Sequence, residues 1–141
     1  MKKKDCSAWG LFILRFVVGL LFIYHGLPKL LHASGTMGFF SSLSFFGIFQ
    51  IPGFFAIIYG IIETVGGLWL ILGWKIKWPS YTLAAAMFFA ILVPLYNNLA
   101  AGKTPRFPEL EILLFVIALT LAWTGPGKCS FDNMINKKAK N

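Results

Sequence analysis

Charged residues, and acidic ones above all, are scarce in this sequence of 141 residues. Asp, Glu, Lys and Arg together make up 13% of it and only five residues are acidic, whereas a typical soluble domain is about 25% charged. Apolar residues make up 57%, and the mean hydropathy is +0.73. This composition excludes an ordinary soluble enzyme and a disordered chain. The length is that of one unit, so we expect a single membrane domain over residues 1–141.

Cysteine and histidine are rare as well, with two residues of each. Two thiols without a CxxC motif cannot form a zinc site, and the sequence carries no haem, iron–sulfur, P-loop or dinucleotide fingerprint. Cys6 and Cys129 lie just outside the apolar region, on the side predicted to be cytoplasmic, where reducing conditions disfavour a disulfide. Unpaired thiols are therefore favoured over a redox pair, and no metal site is predicted.

Long apolar runs are what the sequence does have. Four stretches approach the roughly 20 residues that a membrane-crossing helix needs, at about 8–31, 54–73, 79–101 and 107–124. The fourth is marginal, since the apolar run from Leu110 to Thr124 would rise only about 22 Å. We therefore expect its helix to begin near Phe107, which would draw Glu109 and Glu111 towards the membrane; a locally thinner bilayer is the alternative. The first stretch is too long for a signal peptide and is interrupted by Arg15, so we expect it to be retained.

The net charge of +8 could suggest nucleic acid, but the basic residues sit at the ends of the apolar runs, where they set topology instead. With four spans both termini share one side. Nine basic residues lie on that side and three on the other, which places both termini in the cytoplasm of a prokaryotic cell membrane. The nine are Lys2, Lys3, Lys4, Lys75, Lys77, Lys128, Lys137, Lys138 and Lys140; the three are Lys29, Lys103 and Arg106.

A Phe-rich segment, Thr36 to Gly53, joins the first two spans on the external side. Phe39, Leu43 and Phe46 recur at helical spacing, which predicts an amphipathic helix lying in the outer interface. A re-entrant lid over the helices is the alternative. The predicted fold is thus an all-α, integral-membrane four-helix bundle with an external amphipathic segment.

Two charges lie within the apolar spans, Arg15 in the first and Glu63 in the second. A charge in mid-membrane costs about 2.5–3.5 kcal/mol, so such residues usually face the interior of a bundle. Counted from the cytoplasmic ends, their depths differ by about 5 Å, which an Arg side chain can span. The sequence predicts an Arg15–Glu63 ion pair, whose role is either functional or only to lock two helices together. Arg15 snorkelling to the cytoplasmic face is a further alternative.

A second polar group gathers towards the outer face of the predicted bundle. It could relay protons or hold a polar headgroup, or it could simply satisfy helix ends, since acidic residues favour a helix N-terminus. Its members are His25, Lys29, Asn97, Asn98, Glu109 and Glu111.

Several motifs together resemble the DoxX family of small four-helix membrane proteins. Residues 15–30 read RFVVGLLFIYHGLPKL, like the family's R-x-x-x-G…F-x-x-H-G-x-x-K-L, and residues 63–73 read ETVGGLWLILG, like E-x-x-G-G-x-x-L-x-x-G. Glu109 and residues 125–132, GPGKCSFD, resemble E…G-P-G-(R/K)-x-S-x-D. Glu109 fits the family spacing better than Glu111, although both remain candidates. The glycine and turn positions of these motifs are Gly66, Gly67, Gly125, Pro126, Gly127, Ser130 and Asp132.

The resemblance implies a membrane subunit of a quinone-linked redox or oxidative-stress complex, related to the DoxD-type subunit of thiosulfate–quinone oxidoreductases. Other redox subunits would then be partners beside the lipid bilayer, quinone would be the cofactor, and a homo-oligomer stays open. It implies that Arg15 and Glu63 form the buried pair, that His25, Lys29 and Glu109 handle protons or a quinone head, and that Asp132 anchors the cytoplasmic end of the last span.

Two other classes of function compete with this one. A small transporter or channel would use the intramembrane charges to line a path, but the sequence shows neither interrupted helices nor an inverted repeat. A non-catalytic scaffold would bind lipid or another membrane protein. A redox subunit would show quinone-dependent electron transfer, and a transporter would show flux in liposomes. A scaffold would show neither but would co-purify with a fixed partner. Whether the chain is an enzyme depends on that result.

Overall fold

Five helices and one short pair of strands make up the structure, a computed structural model that describes residues 3–45, 49–104, 107–125, 127 and 130. The elements are α1 (Lys3–Leu31), α2 (Ala33–Ser41), β1 (Ser44–Phe45), β2 (Phe49–Gln50), α3 (Phe55–Leu72), α4 (Lys77–Ala100) and α5 (Glu109–Thr124).

Three of the helices are long and apolar enough to cross a membrane. The candidate spans are Trp9–Leu31 in α1, Phe55–Leu72 in α3 and Lys77–Ala100 in α4. Their apolar side chains point outward as well as inward, because a bilayer, unlike water, accepts an apolar outer surface. On α3 the exposed stripe is Phe55, Ile58, Ile61, Val65, Leu68 and Leu72. The protein is therefore a helical membrane protein in contact with lipid.

Helix α5 begins later than the sequence predicts. Its first residue is Glu109, with Pro108 at the N-cap, and not Phe107. A proline disfavours helical geometry in the residue before it, which keeps Phe107 out of the helix. The 16 residues of α5 rise about 24 Å, less than the thickness of a typical hydrocarbon core of about 30 Å.

The segment between α1 and α3 also differs from its prediction. Helix α2 ends at Ser41, and the chain then forms β1 and β2, which pair antiparallel with Ser44 opposite Gln50. The Ser42 hydroxyl donates to the Phe39 carbonyl at 2.6 Å, and serine side chains that bond the backbone locally compete with helix continuation. The periodic phenylalanines therefore do not form one amphipathic helix up to Gly53.

Glycines bring α1 and α3 into direct backbone contact. A Cβ added to Gly19 would lie 2.6 Å from the Gly67 carbonyl oxygen, and one added to Gly67 would lie 2.6 Å from the Gly19 oxygen. Small residues allow such close approach between membrane helices. The helices run antiparallel, since Gly26 lies against Glu63 and Thr64 further along the same contact.

The core lies where α1, α3, α4 and α5 meet, towards the turn that joins α3 to α4. Gly66 contacts Leu83 there and so brings α4 close to α3. The fully buried side chains of this cluster include Phe22, Leu70, Ile76, Leu83 and Leu121.

Exposed threonines outside the core have their hydroxyls bonded to a carbonyl one turn back, for example Thr120 to Val116 at 2.8 Å. Such a bond satisfies a hydroxyl that faces lipid.

Candidate functional site

The ion pair of the site joins Lys29 of α1 to Glu63 of α3, Nζ to Oε2. The glycine contact explains why they meet, because a Cβ on Gly60 would lie 3.1 Å from the Lys29 Cβ. Glu63 is 1% exposed, whereas the Lys29 side chain is 25% exposed. The carboxylate is thus fully enclosed, and the ammonium group lies between it and open space.

The predicted Arg15–Glu63 pair is wrong. The Arg15 guanidinium lies beside Gly73, where its Cζ and both Nη atoms are 2.8 Å from the position of an added Cβ. Gly73 follows Glu63 by ten positions, a distance of about 15 Å along the helix axis. The register set by the contact of Gly19 with Gly67 brings Arg15, rather than residue 8, level with the α3–α4 turn, so the counted depth was in error.

Arg15 has a different setting, at the C-terminal end of α3. It is 1% exposed, and its Cζ lies 5.8 Å from the centre of the Phe12 ring. Gly73 closes the helix in the left-handed conformation, with φ of 73°. A cation at this end complements the negative pole of the helix dipole.

Tyr59 holds Lys29 from a second side. The Lys29 Nζ lies 4.7 Å from the centre of the Tyr59 ring, a cation–π distance. The Tyr59 hydroxyl donates to the Ala86 carbonyl of α4 at 2.6 Å, and the Phe40 ring of α2 lies 5.9 Å from the Tyr59 ring. Tyr59 therefore connects the ion pair to two further helices. Its spacing of one helical turn from Glu63 is the signal in the sequence that could have placed Tyr59 at the site.

An apolar cavity of about 850 Å³ opens beside Lys29. It lies between α3 and α4, beyond the Tyr59–Ala86 hydrogen bond, and α2 contributes Phe39 and Phe40 to its wall. Of the described residues that line it, only Lys29, Tyr59, Asn98 and Glu111 have polar side chains. The cavity thus combines an apolar body with one charged corner, the usual character of a small-molecule site.

The other predicted site residues are distributed unevenly around this cavity. Glu111 lines it, whereas Glu109 is exposed and does not. His25 is half-buried, with its ring 5.5 Å from that of Tyr24, and the charges of Lys29 and Glu111 act on it. The Asn97 side chain donates to the Val93 carbonyl at 2.8 Å.

The glycine-rich turn after α5 is described only in part. Gly125 is buried and ends the helix with φ of 80°, and the Ser130 hydroxyl donates to the Gly127 carbonyl at 3.0 Å. Pro126, Cys129 and Asp132 lie outside the described residues. Within the part of the chain that the structure describes, no three His, Cys, Asp or Glu residues are grouped so that they could hold a metal ion.

Three bacterial proteins are among the relatives that match nearly the whole chain. "Putative oxidoreductase CatD" of Bacillus subtilis (strain 168) is 28% identical over 132 residues, which cover 94% of this chain and 91% of that protein. "Inner membrane protein YqjF" of Escherichia coli (strain K12) is 27% identical, covering 96% and 98%. A membrane protein of Mycobacterium tuberculosis is 25% identical, covering 89% and 81%.

No solved structure matches this chain. The family model named DoxX matches residues 10–94, which contain most of α1, all of α2 and α3 and most of α4, and therefore both partners of the ion pair. That match extends over more than half of the sequence. The protein belongs to the DoxX family.

Proposed function

We propose that the protein is the membrane subunit of a quinone-linked redox complex and that the cavity beside Lys29 binds the quinone. The single observation that carries the proposal is an 850 Å³ apolar cavity with a buried ion pair at one corner. A quinone has the matching chemistry, since its ring and chain are apolar and its two carbonyl oxygens accept hydrogen bonds. The relative named as an oxidoreductase supports the redox assignment.

Lys29 is the residue proposed to bind the quinone head. Its ammonium group has three donors, of which Glu63 takes one, so it can donate to a quinone carbonyl without leaving its partner. Tyr59 stacks on the same ammonium group and limits where it can point. Quinone would supply the redox chemistry, while Lys29 orients its head and Glu63 holds Lys29 in place. Electrons would come from a partner subunit.

Glu111 and His25 are proposed as the further polar groups near the head. Glu111 lines the cavity, and it therefore replaces Glu109 in the role that the family spacing implied. His25 lies one helical turn before Lys29 on α1. The reduction of a quinone consumes protons. In this proposal Glu111 and His25 supply those protons to the head.

The topology proposed with this function has four membrane-crossing helices, α1, α3, α4 and α5, in one domain with both termini in the cytoplasm of a bacterial cell membrane. The excess of basic residues at the termini and the α3–α4 turn supports this orientation. Trp9, Trp78 and Trp123 are exposed, and tryptophans near helix ends suit a membrane interface. Crossing by α5 requires a locally thin bilayer, because the helix is short.

Binding of a short-chain benzoquinone to the purified protein in lipid nanodiscs tests the proposal. We expect saturable binding that Lys29→Met weakens about 10-fold or more, the value of one hydrogen bond to a charged group. Lys103→Met is the matched control, since Lys103 is exposed and lies outside the cavity. Ala90→Phe, which fills the cavity and leaves the ion pair in place, should abolish binding. Absence of saturable binding to the wild type, or equal binding by both lysine variants, would overturn the proposal.

A further inference from the structure

Some of the cavity wall is also part of the lipid-facing surface. Phe55 and Ile58 line the cavity and are 45% and 42% exposed, as members of the outward stripe of α3. Phe89 of α4 lines the cavity and is 47% exposed. Ile62, which also lines the cavity, is less exposed than these three residues and is half-buried. The mouth of the cavity therefore lies at the outer surface of α3 and α4, at the depth of their membrane-spanning segments.

The end of the cavity that faces away from the α3–α4 turn is lined mainly by apolar side chains from the segment between α1 and α3. They are Phe39, Phe40, Leu43, Ile51 and Pro52, while α4 and α5 contribute the polar Asn98 and Glu111. The contact between Phe40 and Tyr59 fixes α2 against α3. Such a lining disfavours the entry of a polar solute from water, whereas the exposed apolar side chains at the mouth between α3 and α4 suit a lipid-soluble molecule.

We propose that the ligand of this cavity enters sideways from the bilayer, between α3 and α4, through the opening formed by Phe55, Ile58 and Phe89. The inference rests on the proposed binding of quinone and adds its class: a long-chain, membrane-resident isoprenoid quinone. The head reaches Lys29, and the chain extends back through the opening into the hydrocarbon. An opening at the depth of the membrane-spanning segments suits such a ligand, because its apolar chain can stay in the bilayer while its head lies in the cavity.

Accessibility of the cavity to lipid or to water tests the route without any quinone. The variant used has both natural cysteines replaced (Cys6→Ser and Cys129→Ser) and a new one introduced by Ile62→Cys. This single cysteine is labelled with a small fluorophore, and the protein is placed in phosphatidylcholine nanodiscs. Doxyl groups on the lipid acyl chains should quench this label at least half as strongly as one at Leu68→Cys on the lipid-facing stripe. Aqueous iodide should quench it far less than a label at the exposed Thr104→Cys. Strong quenching by iodide combined with no quenching by doxyl lipid would overturn lateral entry.

The role of the opening is tested with two benzoquinones that share a head and differ in chain length. Ile58→Trp narrows the opening, and Ile61→Trp is the matched control, being 46% exposed on the same stripe but outside the cavity lining. We expect Ile58→Trp to slow association of the long-chain quinone about 10-fold and to change that of the water-soluble single-isoprene quinone about twofold or less. Ile61→Trp should slow neither.

The two proposals fail differently. If neither quinone binds the wild type while the lipid quenches the label at Ile62→Cys, the cavity opens to the bilayer but the quinone assignment is wrong. If both quinones bind and Ile58→Trp slows both equally or neither, quinone binding stands and lateral entry through this opening is wrong.

Discussion

The ion pair between Lys29 and Glu63 predicts an unequal response to the loss of either partner. Lys29→Met leaves a carboxylate that is 1% exposed with no counter-charge from Lys29. Breaking a buried pair in this way costs about 3–5 kcal/mol, and we expect unfolding free energy to fall by an amount in that range.

Glu63→Gln should lower the unfolding free energy less than Lys29→Met does, because the ammonium group of Lys29 that remains is partly exposed and keeps another favourable contact. The Lys29 side chain is 25% exposed, and its ammonium group keeps the Tyr59 ring at 4.7 Å. The expected loss is about 1–2 kcal/mol, the value of a hydrogen bond to a charged group discounted for partial exposure. In the double variant the buried charge is gone together with its partner, so stability should recover to near that of Glu63→Gln alone.

Unfolding of the four proteins in mixed dodecylmaltoside and dodecyl sulfate micelles, followed by circular dichroism at neutral pH, measures these differences. Lys103→Met controls for the loss of one positive charge. A coupling energy of about 3–5 kcal/mol is expected from the double-mutant cycle, because a double variant as stable as Glu63→Gln alone leaves the whole Lys29→Met loss as coupling. Additive effects, or a larger loss from Glu63→Gln than from Lys29→Met, would refute the view that Lys29 compensates an otherwise isolated buried carboxylate.

Glycine substitutions provide two further predictions in the same unfolding assay. Gly67→Ala should lower the unfolding free energy by about 1–3 kcal/mol, because its Cβ would lie 2.6 Å from the Gly19 carbonyl oxygen; unchanged stability would show that α1 and α3 separate freely. Gly73→Ala should cost more than Gly102→Ala, by about 1 kcal/mol. Both glycines have positive φ, but only at Gly73 would a Cβ meet Arg15, whereas Gly102 is open. Equal losses would contradict the packing of Arg15 against Gly73.

A linear hydropathy pattern predicts the membrane helices of this protein but not all of their ends. Apolar runs predicted α1, α3 and α4 within a few residues, since helices in a bilayer must satisfy their own backbone and their length follows from its thickness. Prolines and serines set the ends that were misjudged. Phe107 is excluded from α5 by Pro108, and α2 stops at Ser41 although the phenylalanine spacing continues.

The partner of Glu63 could not be obtained from the sequence, because it depends on the register between two helices. Counting depth from assumed span ends placed Arg15 near Glu63, but the contact of Gly19 with Gly67 shifts α1 so that Lys29 arrives there instead. An error of a few residues in a helix start moves a side chain by about 1.5 Å per residue. Which cation pairs with Glu63 therefore depends on the register between α1 and α3, and a hydropathy pattern carries no information about that register.

Composition and motif spacing alone determined that this is a membrane protein of the DoxX family, because burial in lipid and family signatures are properties of the chain as written. The tertiary structure decided where the charges meet. Close glycine contacts place Lys29 on Glu63, the Tyr59–Ala86 hydrogen bond marks where α3 and α4 part, and the cavity forms beyond it with Glu111 in its wall and Glu109 outside. Such a space between helices exists only after packing, since no local pattern records the distance between segments that are remote in sequence.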